Sequence, residues 1–238
     1  MTDCTPLRSL PRVVFLMLIL AATTGGVQAQ ATGDDAEPPM LDVRLLKRIY
    51  HVESPAFRST MRGADASAWP VFIASAPSAW VGVGIVRGGD DFSDAYRLTI
   101  SELAAFGTSI GLKHLVRRTR PYDRFPDIDS RRGNIARRDP YSFPSSHATL
   151  SFALATSWTL SHPKWYVAAP GYLWAMSVAL SRVWLGVHYP SDIFFGAVLG
   201  TVIAWSVHEL GTTVTPEALR NNGDTAPAPL LHLRFLLN

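Results

Sequence analysis

The stretch that decides the architecture runs from Pro144 to Asp192: PSSHATLSFALATSWTLSHPKWYVAAPGYLWAMSVALSRVWLGVHYPSD. It holds two apolar segments, Ala148–Leu160 and Trp165–Leu180, joined only by Ser161-His162-Pro163-Lys164. So short a connection is typical of neighbouring helices in a bundle. Working outward, three more apolar segments appear at Trp69–Val86, Tyr96–Leu112 and Ile193–Val207, and all five run 13 to 18 residues. That is somewhat short of the ~20 residues of a clean bilayer span. Trp69, Trp80, Trp165 and Trp184 sit near segment ends, where interfacial aromatics belong. The expected fold class is therefore all-α: a helical bundle with about five membrane-spanning or membrane-embedded helices, with a soluble bundle as the alternative.

Composition agrees. Charged residues make up 17% of the 238-residue chain and hydrophobic ones 47%, against about 25% charged in an average soluble domain. The net charge of +3 is unevenly spread: Lys113 to Arg138 holds nine Lys or Arg and three Asp, so this stretch carries +6 and the remainder −3. Local basicity of this kind suits an anion site and argues against general nucleic-acid binding.

The first 29 residues read as a signal peptide or an N-terminal anchor. Arg8 and Arg12 precede the apolar run Val13–Ala22, and Val27-Gln28-Ala29 offers a cleavage site before Gln30. Cleavage would remove Cys4, the one cysteine, and with it any thiol, disulfide or cysteine metal site. Residues 30–40, with Pro38 and Pro39, read as a linker; 41–211 as the helical domain; 212–238 as an irregular tail. Within 41–61, Leu41, Leu45, Leu46 and Ile49 fall at helical spacing around Lys47 and Arg48, predicting one amphipathic surface helix.

Three short motifs carry chemistry. Lys113 is followed after six residues by Arg120-Pro121; Pro144-Ser145-Ser146-His147 opens an apolar segment; Ser181-Arg182 is followed by His188 and then Asp192. Lys113, Arg120 and Arg182 could neutralise the oxygens of a transferring phosphoryl group, the arginine forks matching pairs of oxygens. Phosphoryl transfer needs chiefly positioning and charge stabilisation. Ser145 and Ser146 fall where a helix N-terminus leaves backbone N–H groups free for phosphate. Asp192 could accept from Nδ1–H of His188 and leave Nε2 as nucleophile. His147 could protonate the leaving oxygen and later deprotonate the attacking water. No metal enters this scheme.

The joint pattern, K-x6-RP, PSGH and SR-x5-H-x3-D, resembles that of the type 2 phosphatidic acid phosphatase / vanadium haloperoxidase superfamily. The matching positions are Lys113, Arg120, Pro121, Pro144, Ser145, His147, Ser181, Arg182, His188 and Asp192. The resemblance implies an α-helical core, a His188 nucleophile oriented by Asp192, His147 as acid and base, and phosphate ligands Lys113, Arg120, Ser145 and Arg182. Ser146 stands where the family has glycine; it keeps the backbone N–H, but its Cβ would be strained if the position required φ > 0. No cofactor is implied, although vanadate can occupy such a site as a phosphate mimic.

Alternation of the segments puts all four motif-bearing ends on one side. With the N-terminus exported, or anchored with Arg8 and Arg12 inside, that side is the periplasm. The expected activity is a metal-independent phosphomonoesterase or pyrophosphatase, acting through phosphohistidine on a lipid phosphate at the inner membrane's periplasmic face. A small phosphoester is the other expected partner class. Alternatives are a soluble periplasmic acid phosphatase and a vanadium-dependent haloperoxidase. Arg131, Arg132, Arg137 and Arg138 lie outside the motifs and could meet lipid headgroups or a second acidic group of the substrate.

Overall fold

The computed structural model describes residues 38–86, 91–132 and 139–220. The expected signal or anchor (1–29), most of the linker, Arg137, Arg138 and tail residues 221–238 lie outside the described residues.

Helix α1 spans Met40–Tyr50, with Asp42 in its first turn and Lys47 and Arg48 in its last. This charge order complements the helix dipole. Leu46 and Asp42 point inward, while Met40 and Leu41 stay exposed. The single amphipathic helix expected over 41–61 is corrected here: α1 stops at Tyr50 and Pro55 opens a separate helix, α2 (Pro55–Val86). Proline suits a first helical position, and it disfavours helical backbone in the residue before it. The apolar segment Trp69–Val86 is thus the second half of a 32-residue helix.

Helix α3 (Ser93–Val116) is followed by a four-residue helix α4 (Pro121–Arg124), again opened by proline. Then come α5 (Ser146–Ser161), α6 (Trp165–Trp184), α7 (Pro190–Glu209) and the short α8 (Gly211–Val214). Each of the five expected apolar segments falls within one long helix, and among the described residues there is no strand. The expected irregular tail is partly ordered: α8 and a 3-10 turn at Glu217–Leu219 fold back, and the Leu219 carbonyl accepts from the backbone N–H of Phe92 at 3.0 Å.

Helix α5 is central, packing closely on α7, α6 and α3. One core cluster draws Ala64, Ala68 and Phe72 from α2, Ala105 from α3, Leu150 and Ala153 from α5, Val178 from α6 and Ala204 from α7. The α5–α7 contact depends on Gly196 and Gly200, four residues apart on one face. A Cβ at Gly196 would lie 2.8 Å from the Ser145 carbonyl oxygen, and one at Gly200 would collide with the Thr149 carbonyl oxygen. Small residues at this spacing let two helix backbones approach inside a membrane, where hydrophobic burial alone does not drive helices together.

The bundle is apolar outside as well as inside. Ile73, Val81, Ile85, Leu103, Leu173 and Phe194 are all largely exposed on the long helices. Helices apolar all round belong in a large core or a bilayer. By length and composition, Pro55–Ile85 and Pro190–Glu209 are each able to cross a membrane. The remaining long helices, of 16 to 24 residues, pack with these two in one bundle.

Candidate active site

The site lies where the C-terminal ends of α3 and α6 meet the N-terminal ends of α5 and α7. Arg117 closes α3 in the left-handed conformation (φ 53°), its N–H donating to the Lys113 carbonyl at 2.9 Å. This turns the chain so that residues 118–120 run antiparallel to 140–142. Thr119 and Tyr141 form a bridge, and Ser142 N–H donates to the Arg118 carbonyl at 2.7 Å. Lys113 Nζ then donates to the Tyr141 carbonyl at 2.7 Å, and Arg120 Nε to the Asp139 carbonyl at 2.7 Å. The motif around Lys113 and Arg120 is in this way stitched to the strand-like approach to Pro144.

The loop from α6 to α7 brings in His188. Gly186 needs its positive φ of 74°, and a Cβ there would meet the Asp129 carbonyl oxygen at 2.9 Å. Arg120 Nη1 donates to the Val187 carbonyl at 2.8 Å and lies 3.3 Å from His188 Nε2. Guanidinium has only donors, so Nε2 must carry the lone pair and Nδ1 the proton. Nδ1 faces Asp192 Oδ2 at 3.5 Å. Asp192 is fully buried and held on all sides: Ser142 Oγ and the Tyr189 N–H donate to Oδ2, the latter at 2.8 Å, while Arg118 Nη1 donates to Oδ1 at 2.6 Å. The tautomer and aim of the imidazole therefore follow from the donors around it.

His147 opens α5 and packs edge-on against Trp69 and Phe72 of α2, ring centroids 5.6 and 6.1 Å away. It lies within electrostatic reach of Arg182, Arg132, His188 and Lys113. Arg182 Nη1 is bonded to Asp65 Oδ1, and Asp65 Oδ2 accepts from Arg132 Nε at 2.9 Å. Among the described residues, two buried nitrogens at this place, His147 Nε2 and Arg182 Nε, find no hydrogen-bond partner. Unsatisfied buried donors are costly, and an anion bound between the two residues would satisfy both.

Ser145 is the N-cap of α5: its Oγ accepts from Ala148 N–H at 3.5 Å, and its own N–H donates to the Asp192 carbonyl at 3.2 Å, tying α5 to α7. Ser146 is the first helical residue and accepts a bond from Ser109 Oγ at 3.0 Å. Arg117 is the one non-glycine residue with positive φ among the described residues. The Ser146 position therefore makes no demand that only glycine could meet, and its Cβ is tolerated.

The electrostatics suit a nucleophile. Lys113, Arg120, Arg182 and His188 are 2%, 4%, 3% and 2% exposed. Burial, reinforced by Arg120, Lys113 and Arg182, pushes His188 well below the ordinary histidine range, so the imidazole is neutral. Asp139 spans the two cations of the first motif, its Oδ2 3.0 Å from Lys113 Nζ and 3.1 Å from Arg120 Nη2. Its burial opposes ionisation, but the charges of Lys113 and Arg120 outweigh that and hold its carboxyl below the usual range. A carboxylate thus already sits where the motif's geometry invites an anion.

Residues 95–215 match the PAP2 superfamily, and all ten motif positions lie inside that match. The chain belongs to the PAP2 superfamily. Relatives of this PAP2 chain include the bacitracin transport permease protein BcrC of Bacillus licheniformis, 44% identical over 66 residues, covering 26% of the chain and 30% of that protein. A decaprenylphosphoryl-5-phosphoribose phosphatase of Mycobacterium tuberculosis is 36% identical over 109 residues, covering 45% of the chain and 55% of its own length. The PAP2 chain thus spans about a third to a little over half of these curated relatives. Its fold is that of a transmembrane PAP2 type phosphatidylglycerolphosphate phosphatase from Bacillus subtilis, with a TM-score of 0.61 and 19% identity, covering 88% of the chain and 99% of that structure.

All eight residues expected to form the site, Lys113, Arg120, Ser145, Ser146, His147, Arg182, His188 and Asp192, come together at one end of the PAP2 bundle. Arg131 is not among them. It donates to the carbonyls of Trp184 and Tyr50 at 3.2 and 2.8 Å and stacks on both rings, so it holds the fold. Arg132 does reach the site, through Asp65. Sequence reading missed Asp42, Asp65, Arg118, Asp139 and Ser142. Arg118 and Ser142 lie inside or beside the motifs and were within its reach; Asp42 and Asp65 are distant in the chain, with no motif spacing to mark them.

Proposed function

We propose that this PAP2 chain is a phosphatase that hydrolyses phosphate esters or diphosphates through a phosphohistidine intermediate, with a lipid phosphate as substrate. The observation that carries the reading is the convergence of Lys113, Arg120 and Arg182 on a neutral His188 whose Nε2 lone pair is free of protons. In the first step the Nε2 lone pair forms an N–P bond while the P–O bond to the leaving group breaks, and His147 gives its proton to the departing oxygen. In the second, water attacks phosphorus, His147 takes its proton, and the N–P bond breaks to release phosphate. Both histidines return to their starting states. The three cations stabilise the negative charge on the transferring group throughout. No metal or cofactor is needed at any step.

A lipid substrate fits the position of the site at the mouth of a membrane-embedded bundle. Helix α1 lies beside that mouth and exposes Met40 and Leu41 together with Arg44 and Arg48, a mixture suited to a headgroup layer. The Mycobacterium tuberculosis relative is named for a decaprenylphosphoryl compound, which favours polyprenyl phosphates within the class. The export features of residues 1–29 and the shared side of the motif-bearing ends favour a periplasmic face.

The test is phosphate release by purified full-length protein from polyprenyl diphosphate, phosphatidic acid, phosphatidylglycerol phosphate and p-nitrophenyl phosphate, alongside His188→Ala. Release by the parent protein and none by the variant is expected. Near-normal turnover by His188→Ala would rule out the covalent route. Release from soluble esters alone would rule out the lipid assignment.

A further inference from the structure

Asp192 orients His188, but Asp192 is itself held by Arg118, which falls within the first motif without being one of its fixed positions. Arg118 Nη1 donates to Asp192 Oδ1 at 2.6 Å and to Ser191 Oγ at 2.7 Å. Its other terminal nitrogen, Nη2, donates to Asp42 Oδ2 at 2.7 Å. The guanidinium lies 3.9 Å over the Tyr189 ring, which leaves it one orientation. Asp42, 6% exposed, also accepts from the Ser191 N–H at 2.9 Å and Ser191 Oγ at 2.6 Å. A carboxylate on the N-terminal helix α1 is thus bonded both to the start of α7 and to the arginine that holds the carboxylate behind His188. Arg118 has a further tie, since its carbonyl accepts from Ser142 N–H at 2.7 Å and Ser142 Oγ donates to Asp192.

We propose that Asp42 and Arg118 are positioning residues of the reaction centre: Asp42 fixes the Arg118 fork, and Arg118 fixes and partly neutralises the carboxylate that orients His188. The proposal rests on His188 being the nucleophile. Its physical content is that Asp192 would otherwise be a buried anion held only by the neutral donors Ser142 Oγ and Tyr189 N–H, four residues from an imidazole. With Arg118 alone, Asp192 would lose much of its negative field at His188; Asp42 shares the arginine and restores that field. A site assembled from α1, the α3–α4 connection and the start of α7 also means that α1 must be docked for the dyad to be aimed.

His188 is faced by Asp192 at its own loop's end, with Arg118 bonded to the far oxygen of that carboxylate, by Arg120 from the α3–α4 connection, by Lys113 from α3, by His147 from α5 and by Arg182 from α6; Asp139 lies on Lys113 and Arg120. Removing the Asp42 charge makes this environment more positive, and removing that of Arg118 makes it more negative. The two changes should therefore move the His188 titration in opposite directions while both slow turnover. A loss of fold does not do that.

The experiment uses full-length wild-type protein, Asp42→Asn, Arg118→Gln and the double variant in detergent micelles. Phosphate release is followed across the acid and neutral pH range alongside nitrogen NMR of labelled histidines, with the His188 signal identified by its loss in His188→Gln. Asp42→Asn should lower kcat by about 10- to 100-fold, the scale found when a residue that orients a metal-bound histidine is lost, with KM nearly unchanged. Its His188 titration should fall, and that of Arg118→Gln should rise. The double variant should be no slower than Arg118→Gln. Shifts in one common direction, an unchanged titration in Asp42→Asn, or multiplicative kcat losses in the double variant would each overturn the proposal. If the wild-type protein releases no phosphate, the phosphatase reading falls, and the NMR titrations alone still decide whether Asp42 and Arg118 act on His188.

Discussion

Replacing Gly200 by alanine should damage the reaction centre from a distance. The added Cβ would collide with the Thr149 carbonyl oxygen and lie 2.9 Å from both the Ala153 nitrogen and the Thr149 carbonyl carbon. All three are backbone atoms of α5, so no side chain can swing away and the helices must separate. Overpacking of this kind costs about 1–3 kcal/mol, and the rigid partner places Gly200→Ala toward the upper end. For a protein of this size that lowers Tm by roughly 2–4 °C per kcal/mol. The separation also strains the bond from Ser145 N–H to the Asp192 carbonyl, 3.2 Å long, which joins the His147 helix to the His188–Asp192 end of α7. A displacement of about 1 Å between reacting groups can cost on the order of 10² in rate. Thermal unfolding in detergent and phosphate release, read side by side, give both numbers. Gly107→Ala in α3 is the control, because a Cβ there meets nothing within 4 Å and alanine is the better helix former by about 1 kcal/mol. If Gly200→Ala unfolds and turns over like Gly107→Ala, the close α5–α7 approach does not hold the site together.

Other outcomes follow from the same geometry. His147→Ala should cut turnover severely without unfolding the protein, and an activated ester with a good leaving group should recover part of the loss in the first step; an equal loss on poor and activated esters would remove His147 as the acid. Arg182→Gln should slow phosphate release on the order of 10²–10³, as for loss of one charge-stabilising donor, and Asp65 should stay paired through Arg132 at 2.9 Å, so Tm should change little beside the rate. Because His188 is held well below its ordinary value, the neutral imidazole persists as pH falls. The acid limb of kcat/KM should accordingly lie below about 6.5, and a limb above it would contradict the burial argument. EDTA should leave phosphate release unchanged, whereas vanadate should inhibit competitively with substrate.

The reach of sequence reading differed from residue to residue. Lys113, Arg120, His147, Arg182, His188 and Asp192 were visible because spacing and residue type together match a phosphate cradle, and Lys113, His147, Arg182 and Asp192 sit at or beside the ends of apolar segments whose lengths are themselves legible. The break between α1 and α2 was also written in the chain, in Pro55, but the helical spacing of apolar residues ran across it and obscured it. Gly196 and Gly200, four apart in an apolar helix, were a signal for close packing that went unread. Asp42 and Asp65 carried no local signal: a lone aspartate on a helix looks like a solvated side chain until its partner arrives from over seventy residues away.

The order of apolar segments, their ends and the charges placed at those ends are properties of the chain itself, since helix length and burial follow from local composition. Those properties were enough to determine a helical bundle of five apolar segments, and the three motifs added the resemblance to a phosphate site gathered at one end of it. Only the packed structure could decide the tautomer of His188, the orphaned nitrogens of His147 and Arg182, the Asp139 bridge and the Asp42–Arg118–Asp192 chain. Hydrogen bonds and ion pairs depend on distances of a few ångströms between residues far apart in sequence, and those distances come into being only when α1, α3, α5, α6 and α7 close on one another.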